Sequence, residues 1–152
     1  MNAEETGRLR GVAALLAVVV AGVHLLHPSQ GGVALVVYAQ VGYLGDPRPL
    51  LFTLAGFALV FGVVAGRVGV DRRPLYLGGI GVTVALLGGF VLWHTALEHG
   101  GFWPRLEPNA HPDRSAALVA ADHLRRDPLL LASKLAELGL LAALCVLFRV
   151  DR

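Results

Sequence analysis

The side chains best suited to chemistry in this sequence are six histidines, His24, His27, His94, His99, His111 and His123, together with Glu98 and a charged pair, Lys134 and Glu137, set inside an apolar run. On a helix His94 and Glu98 stand four apart and share a face, as do His24 and His27 at a spacing of three, whereas His99 is rotated well away from His94. Two helices brought side by side at matched depth would therefore offer three imidazoles and a carboxylate to one point. Such a donor set suits zinc, copper, iron or manganese, and a His24 and His94 pair alone would suit a b-type haem clamped between helices. We take His24, His27, His94, Glu98 and His123 as candidate metal ligands, and His24 and His94 as the candidate haem pair. The competing interpretation, which is the default, makes these histidines amphipathic residues at the polar ends of spans, since no contiguous His-Glu-x-x-His motif is present.

Lys134 and Glu137 stand three apart, close enough for an intrahelical ion pair that lowers the cost of either charge in a membrane. The functional alternative makes Glu137 a proton-accepting or ion-coordinating group beneath the histidines, because an intramembrane carboxylate is costly to keep for packing alone.

The elements that must position these groups are spans. With 55% hydrophobic and 16% charged residues and a mean hydropathy of +0.64, the chain is too apolar for an ordinary soluble domain of 152 residues. The arginines sit singly or in pairs at the ends of apolar runs, where topology places them, and no basic tract suited to nucleic acid is present. Cys145 is the one cysteine, which excludes an intrachain disulfide and any paired-cysteine motif.

Apolar runs predict four transmembrane helices at about residues 9–27, 49–70, 74–98 and 128–148, an all-α, up-down four-helix bundle forming a single membrane domain over 1–152. No small-x-small cleavage site follows the first run at His24-Leu25-Leu26-His27-Pro28, so it is read as a retained span rather than a signal peptide. Gly31 to Leu44 would reach only ~21 Å as a helix, short of the ~30 Å hydrocarbon core, and is read as a short interfacial helix that does not cross. The loop 98–127 is read as partly helical, irregular around Pro104, Pro108 and Pro112, with a surface helix from Ser115 to Arg126.

Trp93 and Trp103 flank the histidine-rich stretch as interfacial aromatics would. Arg8, Arg10, Arg67, Arg72, Arg73, Arg149 and Arg152 fall on one side, against Arg48, Arg105, Arg114, Arg125 and Arg126 on the other. Charge density in the short connections puts both termini in the cytoplasm and the histidines at the outer face of the cell membrane.

Small residues at four-residue spacing, Ala58, Gly62 and Gly66 on the second span and Gly81, Ala85 and Gly89 on the third, predict close backbone approach. With the short connection Asp71 to Pro74, they predict that these two spans form the tightest pair. The first span carries a similar stripe at Ala13, Ala17 and Ala21, and the last carries Ala132 and Ala136.

Two function classes follow. One is an accessory or assembly subunit packing with itself or a larger membrane partner. The other is a haem- or metal-binding redox or metal-handling protein using the outer histidines. A transporter is the weaker third, since no internal repeat is visible.

Overall fold

The computed structural model describes residues 1–42, 45–97, 101, 103, 106 and 115–151. Among them are six helices and no strand: α1 (Ala3–Leu26), α2 (Gly32–Gln40), α3 (Arg48–Arg67), α4 (Arg72–His94), α5 (Ala116–Arg126) and α6 (Pro128–Val150). Four of these, α1, α3, α4 and α6, are long and apolar enough to cross a membrane. Large apolar side chains such as Leu15, Leu54, Phe57, Phe61 and Leu135 point outward, while Thr83, His24, Lys134 and Glu137 are buried. Apolar outside and polar within is the arrangement expected of a protein whose solvent is lipid.

The helix ends follow local chemistry. α1 starts well before residue 9 because Asn2 and Glu5 form a reciprocal capping box, each side chain accepting from the other's backbone N–H at 2.8 and 2.9 Å. Asp71 caps α4 through the N–H of Arg73, and Asp127 caps α6 through that of Leu130, with Pro128 in its first turn. α3 closes on Gly69, whose φ of 90° lets the Val70 N–H turn back to the Ala65 carbonyl.

α1 packs extensively against α6 and α3, and α4 against α6. The expectation that the second and third spans pair most tightly is not met: the α3–α4 interface is the least extensive of the four. A Cβ added at Gly62, Gly81 or Gly89 would meet nothing within 4 Å, and at Gly66 only the side chain of Leu75 at 3.7 Å. A short connection holds two helix ends together but does not close the faces along their length. Close approaches fall instead on glycines facing other neighbours, Gly56 beneath Leu25 of α1 and Gly79 beneath Leu144 of α6. Of the remaining stripes, Ala13, Ala17 and Ala21 are buried in one cluster with Leu140, Leu144 and Leu147, whereas Ala132 is exposed.

Two side-chain approaches mark the α1–α6 alignment. Arg10 donates from Nε and Nη2 to Asp151, and the His24 imidazole Nε2 lies 3.6 Å from Glu137 Oε1. Arg10 and His24 are fourteen residues apart on α1, as are Glu137 and Asp151 on the α6 side, so the helices run antiparallel with contacts matched at two levels. Tyr76 of α4 joins the first level, its hydroxyl donating to Asp151 Oδ2 at 2.5 Å.

Candidate functional site

A cavity of about 680 Å3 opens at the α5 end of the helices, bounded by α1, α3, α4, α5 and α6. Asp122, His123 and Arg126 of α5 line one end, and Val82, Ala85 and Leu86 of α4 line the other. Its walls carry Phe52, Phe90 and Trp93 together with His24, His94, Ser133 and Lys134. A second cavity of about 630 Å3 lies toward the Arg10–Asp151 end, lined by Ala58, Gly62 and Gly66 together with Arg10, Arg67, Arg72 and Tyr76. The small residues of α3 therefore border open space, which is why they draw no backbone close.

The charged wall is built on α6. Lys134 Nζ donates to both oxygens of Glu137, at 2.7 and 2.8 Å, and Ser133 Oγ donates to Oε1 at 3.1 Å. Glu137 is fully buried behind Lys134, and Lys134 lines the cavity with its ammonium 5.4 Å from the centre of the Phe90 ring. His24 approaches Glu137 from α1, with Phe52 against its ring edge-on at 4.9 Å.

Three imidazoles are held in one tautomer. The Nδ1 atoms of His24, His94 and His123 lie 2.8 Å from the backbone carbonyls of Val20, Phe90 and Val119, each four residues earlier. A carbonyl only accepts, so each Nδ1 carries the hydrogen, and in the neutral ring the electron pair is on Nε2. Ser29 N–H points to His27 Nδ1 at 3.4 Å, which reverses the assignment for that ring.

Contacts between helices add pairings that spacing along one helix does not give. His24 meets Glu137 across the α1–α6 seam. His94 meets His123, with ring centroids 4.4 Å apart, and Phe90 at 4.6 Å. His24, His27, His94 and His123 all line the one cavity. Glu98, His99 and His111 lie outside the described residues. Among the described residues no group of three or more His, Cys, Asp or Glu side chains is placed to hold a metal ion.

Several contributors went unread in the sequence. Ser133 carried no signal beyond standing four residues before Glu137. Arg48, bonded to Asp46 at 2.6 Å and stacked 4.7 Å over Trp93, supports the cavity rim from the α3 start. At the opposite end the Arg10 guanidinium, followed by the Tyr76 hydroxyl, holds the Asp151 carboxyl below the usual carboxylate range, outweighing the opposite effect of burial.

No family model, no curated relative and no solved structure matches this chain.

Proposed function

We propose that this is a multi-pass protein of the cell membrane, acting as an accessory subunit that binds a ligand in the cavity at the α5 end. In this reading α1, α3, α4 and α6 cross as an up-down bundle, and α2, nine residues long, is a short interfacial helix that does not cross. Both termini lie in the cytoplasm, supported by the arginine density of the short connections, and the cavity opens outward. Gly78 and Gly81, exposed on α4 with nothing within 4 Å of an added Cβ, offer a flat strip clear of this cavity on which a second copy or a larger membrane partner can pack.

The observation that carries the ligand reading is the exposure of a buried ion pair to the cavity. Glu137 and Lys134 neutralise each other, yet Lys134 is turned toward open space rather than sealed by packing. Polar groups within a largely apolar cavity are the ordinary makeup of a small-molecule site, and about 680 Å3 falls in the usual size range. Native mass spectrometry of the protein in lipid nanodiscs tests this. A noncovalent mass retained by the parent and lost from a Lys134→Met, Glu137→Leu double variant is expected; identical spectra overturn the reading.

The fixed Nδ1–H tautomer favours a second reading, in which the cavity holds haem b or a transition metal. Metal-bound histidines characteristically donate their other N–H to a carbonyl or carboxylate, as His24, His94 and His123 do to backbone. His94 and His123 would supply the first nitrogens, with His27 and Glu98 as further ligands, whereas His24 would have to turn away from Glu137. A visible absorption spectrum with metal analysis separates the two readings: a Soret band or stoichiometric metal, lost in His94→Ala, selects the second.

A further inference from the structure

We infer that the cavity at the α5 end takes a neutral, membrane-dissolved aromatic carbonyl compound of the quinone class, reaching it from the bilayer between α3 and α4. This rests on the reading that the cavity binds a ligand, and it adds the chemistry of that ligand.

Charge balance selects a neutral molecule. Among the described residues, the lysine and arginines lining the cavity each have a carboxylate partner: Lys134 with Glu137 at 2.7 Å, Arg48 with Asp46 at 2.6 Å and Arg126 with Asp122 at 3.0 Å. An anionic ligand would add a charge that none of these already paired cations is left to balance, at large cost in a low-dielectric setting.

Hydrogen bonding selects an acceptor. An ammonium has three N–H groups, and two of those on Lys134 are taken by the two oxygens of Glu137. The third belongs to a side chain that lines the cavity, so an oxygen arriving there receives a charge-assisted bond while the ion pair stays intact. A carbonyl oxygen accepts such a bond without bringing a donor or a charge that would need its own partner.

The walls select a planar, lipophilic body. Phe52, Phe90 and Trp93 face the cavity, and Phe90 lies directly under the Lys134 ammonium, so a ring whose oxygen meets Nζ also meets an aromatic face. The route in is the side of the bundle where packing is thinnest. Between α3 and α4 the cavity is bordered by Ala55, Ala85 and Gly89, and a Cβ on Gly89 would meet nothing within 4 Å. A ligand with an apolar tail can leave that tail in lipid while its head occupies the cavity.

The test uses the full chain in nanodiscs titrated with a decyl-substituted benzoquinone, read by quenching of Trp93 and Trp103, the two tryptophans, both of which line the cavity. Saturable quenching is expected in the parent. The Lys134→Met, Glu137→Leu double variant, which keeps the wall neutral but removes the donor, should weaken binding by about tenfold or more. Gly89→Leu, whose Cβ has open space around it and whose side chain would narrow the α3–α4 opening, should weaken it comparably; decylbenzene, with the same tail and no carbonyl, should not compete. Equal affinity in all three proteins, or competition by decylbenzene, overturns the inference and marks the cavity as a generic acyl groove. A parent that binds no quinone yet retains another mass in native mass spectrometry refutes the quinone class alone. Absence of both signals removes the ligand reading with it.

Discussion

Replacing Glu137 by alanine should be among the most damaging single changes in this protein. The substitution leaves Lys134, 8% exposed, without the carboxylate that accepts two of its three hydrogens, and deprives Ser133 Oγ of its acceptor. Breaking a buried pair by removing one member costs about 3–5 kcal/mol, because the surviving charge stays in a medium that solvates it poorly. Against a total stability of roughly 5–15 kcal/mol, that is about a fifth or more of what holds the fold. The companion prediction has the opposite sign. In the Lys134→Met, Glu137→Leu double variant both charges go, His24 keeps its Nδ1–H bond to the Val20 carbonyl, and Ser133 can turn its hydroxyl to a backbone carbonyl one turn earlier. That protein should be as stable as the parent or up to about 4 kcal/mol more stable. SDS-induced unfolding in mixed micelles, followed by circular dichroism, measures both. If Glu137→Ala lies within about 0.5 kcal/mol of the parent, the reasoning fails in a definite way. Water would then reach Lys134 through the cavity and solvate it, and the wall would be wet rather than a low-dielectric surface.

Asp151 should make the fold acid-sensitive. Its carboxyl is held below the ordinary range by Arg10 and Tyr76, so its contribution is present above the unfolded value of about 3.9 and is lost as pH falls through the lower folded value. A parent and an Asp151→Asn variant with the same acid limb in thermal melts would refute this. Gly31→Ala should cost about 1–3 kcal/mol, because the new Cβ would stand 2.4 Å from the His24 carbonyl oxygen and 2.9 Å from the His27 backbone, while Gly62→Ala, with open space around it, should change little. Equal midpoints for the two would show that the turn after α1 relaxes freely. A Ser115→Cys substitution should be labelled by a membrane-impermeant maleimide from the outside of intact cells; labelling only after permeabilisation would reverse the orientation.

How much of this was legible depended on whether the information was local. Runs of apolar residues without charge are local, and the four long helices fall where those runs are. The early start of α1 was equally local: Asn2 followed three residues later by Glu5 is the capping-box signature, and weighing it would have moved the boundary back. The pairing of spans was not local. Small-residue spacing marks a face that permits close approach, but Gly62 and Gly89 face open space while Gly56 and Gly79 take the contacts. Rotation of each helix about its axis decides this, and one sequence specifies that only weakly. The site shows the same limit: spacing speaks only for neighbours on one helix, and it is contacts between helices that bring His24 to Glu137 and His94 to His123. One long-range feature was nonetheless readable. Arg10 and His24 have the same separation as Glu137 and Asp151, and on antiparallel helices equal separations bring both pairs into contact together.

That match also bears on why the buried charges are kept. The apolar part of the α1–α6 seam, alanines at 13, 17 and 21 against leucines at 140, 144 and 147, nearly repeats every turn, and lipid supplies little hydrophobic force to favour one alignment. A slip of four residues moves one helix by ~6 Å and leaves alanine against leucine much as before. It also separates Arg10 from Asp151, so this polar level penalises the slip that the apolar seam tolerates. Register accounts for Arg10 and Asp151. It does not account for the Lys134–Glu137 pair, which is made within α6 and reaches the cavity through Lys134. Lys134 and Glu137 are thus the charges that alignment leaves unexplained, and Lys134 is the one of the two that lines the cavity.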